Sequence, residues 1–161
     1  MTVAPIALAG ALFLAGCGSS PKQVVAPLRV SGQGFHFSAP AGWPVRRAGS
    51  QVTVGSGSAL VQVSIFPLVK AYDPSLFTAV AGELAVRMRA LAAGEKGRVD
   101  GTSTAVVAGI RAHVWRIAVG DHIDEYTFVL TRRREFQLLC RRLPHGDDTP
   151  CSQLVQTFVL G

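Results

Sequence analysis

Three observations predict an α+β fold built on an antiparallel sheet in a single domain. Several runs of five to ten residues alternate apolar and polar side chains, as strands with one buried face do. One long segment in the middle of the chain carries apolar residues at helical spacing. The 161 residues suit one domain, of a size that buries about 68–70% of its unfolded surface. Hydrophobic residues at 48% against 16% charged exclude a disordered chain.

The elements follow in order. In GFHFSAPAGW, Phe35 and Phe37 alternate with His36 and Ser38, so both rings point to one face of a strand that Pro40, Gly42 and Pro44 end. QVTVG and ALVQVSIF read as two strands joined by a Ser-Gly-Ser turn, with Ala59, Val61, Val63 and Ile65 on one face. YDPSLFTAVAGELAVRMRALAAGEK is the clearest helix: Asp73 suits the N-cap, Pro74 the first helical position and Gly94 the far end. Phe77, Val80, Leu84, Met88 and Leu91 form its core-facing stripe, and Glu83 and Arg87 are expected to pair on the solvated flank.

IRAHVWRIAV, IDEYTFVLT and EFQLLCRRL, separated by GDH and RRR, predict an antiparallel meander. Trp115, Ile117 and Val119 share one face, as do Tyr126, Phe128 and Leu130, and then Phe136, Leu138 and Cys140. A short helix capped by Asp148 or Thr149 is predicted from Pro150, with Leu154, Val155 and Phe158 turned inward.

Ahead of the domain, Val3 to Ala15 is almost entirely apolar, about thirteen residues against the ~20 of a membrane-spanning helix, a length that suits the core of an export signal. Leu14-Ala15-Gly16-Cys17 resembles a bacterial lipobox, in which a diacylglyceryl group is transferred to the cysteine sulfur and cleavage leaves that cysteine first. Residues 1–17 are therefore read as a lipoprotein signal peptide with Cys17 as the lipidation site, residues 18–33 as a flexible tether, and residues 34–161 as the domain. The expected location is the cell membrane, lipid-anchored on its extracytoplasmic side.

That compartment permits disulfides, and Cys140 and Cys151 are the remaining even pair. A disulfide is the expected reading; the alternatives are two buried thiols or a metal site with His145. Sixteen Lys and Arg against ten Asp and Glu give a net charge of +6, which favours an anionic lipid surface, wall polymer or envelope protein as partner. Nucleic acid is not expected, because the chain is read as exported and shows no groove-reading or base-stacking motif.

The aromatic strand entering SAPAGW, the middle helix, the VAGIRAHVWRI run into a meander and the closing cysteine pair before LVQTFVL together resemble the PsbP-like fold. It is the fold of the photosystem II extrinsic protein and of bacterial lipoproteins, including actinobacterial ones of the LpqN type. The resemblance covers residues 34–160, with Pro40, Gly42 and Trp43 its most characteristic positions. It implies an α/β/α sandwich, an antiparallel sheet with helices on its faces, and a role in binding or assembly.

The candidate chemistry is sparse. His36, His113, His122 and His145 show no metal-ligand spacing; Asp121-His122-Ile123-Asp124-Glu125 is the best local cluster for a divalent cation, but it reads as a polar hairpin turn. The serines of VGSGSAL lack a nucleophile elbow, and nothing in the sequence makes Lys70 catalytic. No catalytic residue, metal or cofactor is expected. Arg132, Arg133 and Arg134 crowd one hairpin end and are the candidate anionic-surface site, with Arg141 and Arg142 a separate patch at the other end of the strand. The expected function is a lipid-anchored, extracytoplasmic binding or envelope-accessory module. The alternatives are a carrier of an apolar ligand held between the middle helix and the sheet, and an envelope enzyme.

Overall fold

A computed structural model describes residues 26–161; the segment read as an export signal, Cys17 and the first part of the expected tether lie outside the described residues. Strands β1 (Leu28–Gly32), β2 (Phe35–Ala39), β3 (Val45–Ala48), β4 (Gln51–Ser56) and β5 (Ala59–Pro67) precede helix α1 (Phe77–Gly94). Then come β6 (Arg98–Val107), β7 (Ile110–Val119), β8 (His122–Leu130), β9 (Arg134–Arg142), helix α2 (Thr149–Thr157) and β10 (Val159–Leu160). An antiparallel 7-stranded sheet runs β3-β4-β5-β9-β8-β7-β6, and a 3-stranded sheet runs β1-β2-β10.

The alternation of side chains along the central strands splits the core into two layers. On one face of the large sheet, Leu84, Met88 and Ala92 of α1 pack on Trp115, Ile117, Tyr126, Phe128 and Leu139. On the other, Val54, Val61, Val63, Phe136 and Leu138 meet Phe35 and Phe37 of the small sheet and Leu154 and Phe158 at α2. Each large apolar side chain buried this way contributes about 1.5–3 kcal/mol. The outcome is the predicted α+β sandwich, with one refinement: the layer opposite α1 combines α2 with the small sheet. Cys140 of β9 and Cys151 of α2 form a disulfide with Cα atoms 5.3 Å apart, which fixes α2 to the sheet.

The tether ends sooner than expected. Residues 28–32, assigned to it from their Gly, Ser and Pro surroundings, pair with β2 from Leu28↔Ala39 to Gly32↔Phe35, and Val30 is buried. The domain therefore begins at Leu28 rather than at residue 34. The helix start also differs in detail. Asp73 Oδ1 accepts from Ser75 N at 2.8 Å, but it caps a 3₁₀ turn, Pro74–Leu76, that leads into α1. At the far end Gly94, expected to close the helix, is its last residue; Glu95 is the C-cap and Lys96 takes the left-handed conformation (φ 55).

The expected Glu83–Arg87 pair does not form. Arg87 instead turns inward and makes a two-pronged bond to Glu135 of β9, at 2.6 and 3.2 Å. The physical reason is burial: Glu135 is 5% exposed and would otherwise be an uncompensated charge, whereas Glu83 lies in water. At α2, Asp148 occupies the N-cap without a side-chain bond, and Asp147 Oδ1 accepts from Thr149 N at 2.9 Å.

Candidate functional site

The end of the domain where β8 hands over to β9 gathers groups that are distant in sequence. The loop after β5 is fastened there by backbone bonds from Leu68 N to Arg133 O and from Tyr72 N to Arg132 O, both 3.0 Å. The β6–β7 hairpin reaches the same end through a two-residue turn, Ala108 (φ 51) and Gly109 (φ 77), the pair of positive φ values that matches strand twist. It delivers Arg111.

The Arg111 guanidinium lies 4.2 Å from the centre of the Phe77 ring, and that ring stacks on His113 at 3.8 Å. His113 is buried, and its Nε2 lies 2.9 Å from the Phe77 carbonyl oxygen, which can only accept. Nε2 is thus the protonated nitrogen. This histidine locks the first turn of α1 to the sheet and leaves Arg111 as the outer member of the stack.

Tyr72, Phe77, Ile110, Arg111, Leu130 and Arg132 line an open cleft of about 970 Å³. Burial pushes the Tyr72 phenol up, with the Arg111 charge pulling against it, while hydrogen bonds from Ser75 hold the Asp73 carboxyl below its usual range. Beyond Tyr72 and Leu130 a second hollow, of about 380 Å³, opens between the loop and α1, with Leu68, Val69, Leu76, Val80 and Leu84 on its walls. Arg132, Arg133 and Arg134 are all exposed. With Lys70 and Arg111 they make no ion pair among the described residues.

At the other end of β9 the expected second arginine patch is not free. Arg141 binds Asp124 through Nε and Nη2 at 2.7 and 2.6 Å, and Asp124 is 0% exposed. Those bonds raise the Arg141 pKa further above its ordinary value. Arg142 Nη1 donates to the carbonyls of Leu143 and Pro144 at 3.3 and 3.2 Å. The segment read as a polar hairpin turn is only partly one: Asp121 lies in the turn, but β8 begins at His122 and carries Asp124 into the interior. There burial, reinforced by the Asp124 charge, pushes the Tyr126 phenol well above its usual range. Among the described residues no three His, Cys, Asp or Glu side chains converge as a metal-ligand set.

No family model and no curated protein matches the sequence. Solved structures do. The solution structure of cyanobacterial PsbP (CyanoP) from Synechocystis sp. PCC 6803 superposes with a TM-score of 0.63 at 16% identity, covering 90% of this chain and 99% of that one. The chain has a PsbP-like fold. A crystal structure from Bacteroides thetaiotaomicron VPI-5482 is similar at a TM-score of 0.56 and 12% identity, over 79% of this chain and 45% of that one.

In this PsbP-like domain the arginine turn is where the sequence put it. What sequence reasoning missed is the company it keeps: Lys70, Tyr72, Phe77 and Arg111 come from three other segments. Only the strand register, which sets Leu130 opposite Glu135 and Val107 opposite Ile110, brings them to one end.

Proposed function

We propose that this protein is a lipid-anchored, extracytoplasmic binding module that uses the Arg132–Arg134 end of its domain to hold an anionic partner, without a catalytic step. One observation carries the binding surface. Lys70, Arg111 and Arg132 line two neighbouring hollows, Arg133 is bonded to the loop beside them, and none of the four makes an ion pair among the described residues, whereas Arg87, on the wall of one hollow, and Arg141, at the other end of β9, each hold a buried carboxylate. Each exposed cation gains about 1 kcal/mol near an anionic lipid surface, so the cluster suits a multivalent anion. The anchor is supported by Leu14-Ala15-Gly16-Cys17 after an apolar run, and the Cys140–Cys151 disulfide suits an oxidising compartment. The likeness to lipoproteins of the LpqN type belongs to the same reading.

A second reading, a carrier of an apolar ligand, is favoured by the hollow of about 380 Å³ under the loop. Its place is at the N-terminal end of α1. In the middle of the helix Leu84 and Met88 already fill the contact with the sheet.

The anchor is tested by Cys17→Ala, which is expected to leave the chain unprocessed or to release it from the membrane fraction, because two or three acyl chains hold far more firmly than one. A variant cleaved at the same bond and retained unchanged with membranes would overturn it.

A further inference from the structure

Val69 is 97% exposed, well above Val106 at 68%, the next of the exposed large apolar side chains among the described residues. Leu76, on the same hollow, is 45% exposed. The bonds from Leu68 N to Arg133 O and from Tyr72 N to Arg132 O fasten the loop on both sides of this valine. Lys70 follows Val69 directly, and the same two bonds bring Arg132 and Arg133 alongside. The result is an apolar tip with a collar of cations that make no ion pair among the described residues.

That arrangement discriminates between anionic partners. A hydrated anionic polymer complements the collar only and leaves Val69 in water. A bilayer with anionic headgroups complements both, with charge at its surface and hydrocarbon just beneath. We propose that the Leu68–Asp73 loop inserts Val69 into an anionic lipid bilayer, with Lys70, Arg132 and Arg133 held at the headgroups. The inference rests on the anchored, anion-binding reading above and names its partner.

The position of the tether gives the insertion a geometric consequence. Leu28 pairs with Ala39, and just beyond it Trp43 packs near Gly55 and lines a hollow with Ala59, Cys140 and Arg142. The other end of β1 turns at Gly34, beside the Arg134 side chain. The chain from Cys17 therefore enters the domain at the end opposite Val69. The roughly ten residues between Cys17 and Leu28 reach about 33–36 Å when extended, more than the roughly 26–30 Å of β9. Anchor and loop can thus meet one bilayer, with the long axis of the domain lying along it.

The test uses the full chain, lipidated at Cys17, in phosphatidylcholine vesicles with and without phosphatidylglycerol. Val69→Cys carries an environment-sensitive fluorophore, and the lipids carry brominated acyl chains. The expected result is a blue shift and quenching at position 69 with phosphatidylglycerol, and loss of both in pure phosphatidylcholine or when Lys70→Gln, Arg132→Gln and Arg133→Gln are combined. A label that stays in water on both vesicles overturns the insertion. If the unlipidated chain from residue 18 still binds phosphatidylglycerol vesicles in a salt-sensitive way, the insertion alone has failed; if that binding is absent too, the anion-binding reading fails with it.

Discussion

The two ends of β9 carry the same kind of residue in opposite circumstances. At its C-terminal end Arg141 is bonded to an Asp124 that is fully buried, and Arg142 is turned onto neighbouring carbonyls, close to the Cys140–Cys151 disulfide. At its N-terminal end Arg132, Arg133 and Arg134 stand in water with no carboxylate partner among the described residues. The difference is set by what the neighbouring strands supply. β8 offers Asp124 opposite Arg141, but opposite Glu135 it offers Leu130, and Glu135 itself is taken by Arg87 of α1. Net charge therefore says little about where a protein binds; the distribution of paired and unpaired cations says more. One end of this domain is held together by its charges, and the other displays them.

Breaking the internal pair should have the largest effect. Arg141→Met strands the Asp124 carboxylate in the interior, and a loss of about 3–5 kcal/mol is expected by chemical denaturation. Arg142→Met, whose parent contacts only carbonyls at the surface, should stay within about 0.5 kcal/mol. Adding Asp124→Leu to Arg141→Met should recover most of the loss, because an apolar pair leaves no charge unmatched. A cost below about 1 kcal/mol for Arg141→Met would mean that water reaches Asp124 and that the two ends are less different than they look.

The disulfide comes next. It closes a short loop, with a sequence separation of 11, and its reduction should cost about 2–4 kcal/mol while the domain stays folded. Thiol counting on the denatured, unreduced protein is expected to find neither Cys140 nor Cys151 titratable, and two free thiols would remove α2's covalent link to β9. The effect should fall on this end alone, leaving the Arg132–Arg134 turn and its loop unchanged in hydrogen exchange.

How far the sequence foretold this contrast depended on burial. The strands that bury a face on each core announced themselves, as in β5, β8 and β9, and so did α1 with Leu84 and Met88 on its inner side. The strands that sequence reading passed over lie at sheet edges or in the small sheet. β6 (RVDGTSTAVV) is mostly exposed and buries only Val107, β3 (VRRA) buries nothing fully, and β1 buries only Val30. An edge strand has backbone pairing on one side and little apolar surface to hide, so its residues show no period. At the site, three adjacent arginines in a turn were visible from their spacing. Asp124 was not, because an acidic run reads as a turn until register places one member opposite an arginine.

The smallest expected effect on stability belongs to the displayed end, and there the measurement of interest is binding. Arg132→Gln, Arg133→Gln and Arg134→Gln together remove exposed charges that pair with nothing among the described residues, so unfolding free energy should shift by no more than about 0.5 kcal/mol. The Thr131 hydroxyl, which donates to Arg134 O at 3.0 Å and accepts from Arg134 N at 3.2 Å, keeps the turn without help from the arginine side chains. The unlipidated chain from residue 18 should bind anionic vesicles and release them as salt rises, since screening shortens electrostatic reach to about 8–10 Å at ordinary ionic strength. The triple variant should lose more of that binding than Arg46→Gln with Arg47→Gln, although both sets are exposed cations. Arg46 and Arg47 lie on the edge strand β3, outside the clamped loop and the hollows, and Arg47 reaches back to Ser31 O at 3.4 Å. Salt-insensitive binding, or equal losses in the two variants, would show that the arginine turn is solvated surface and that its contrast with Arg141 ends at stability.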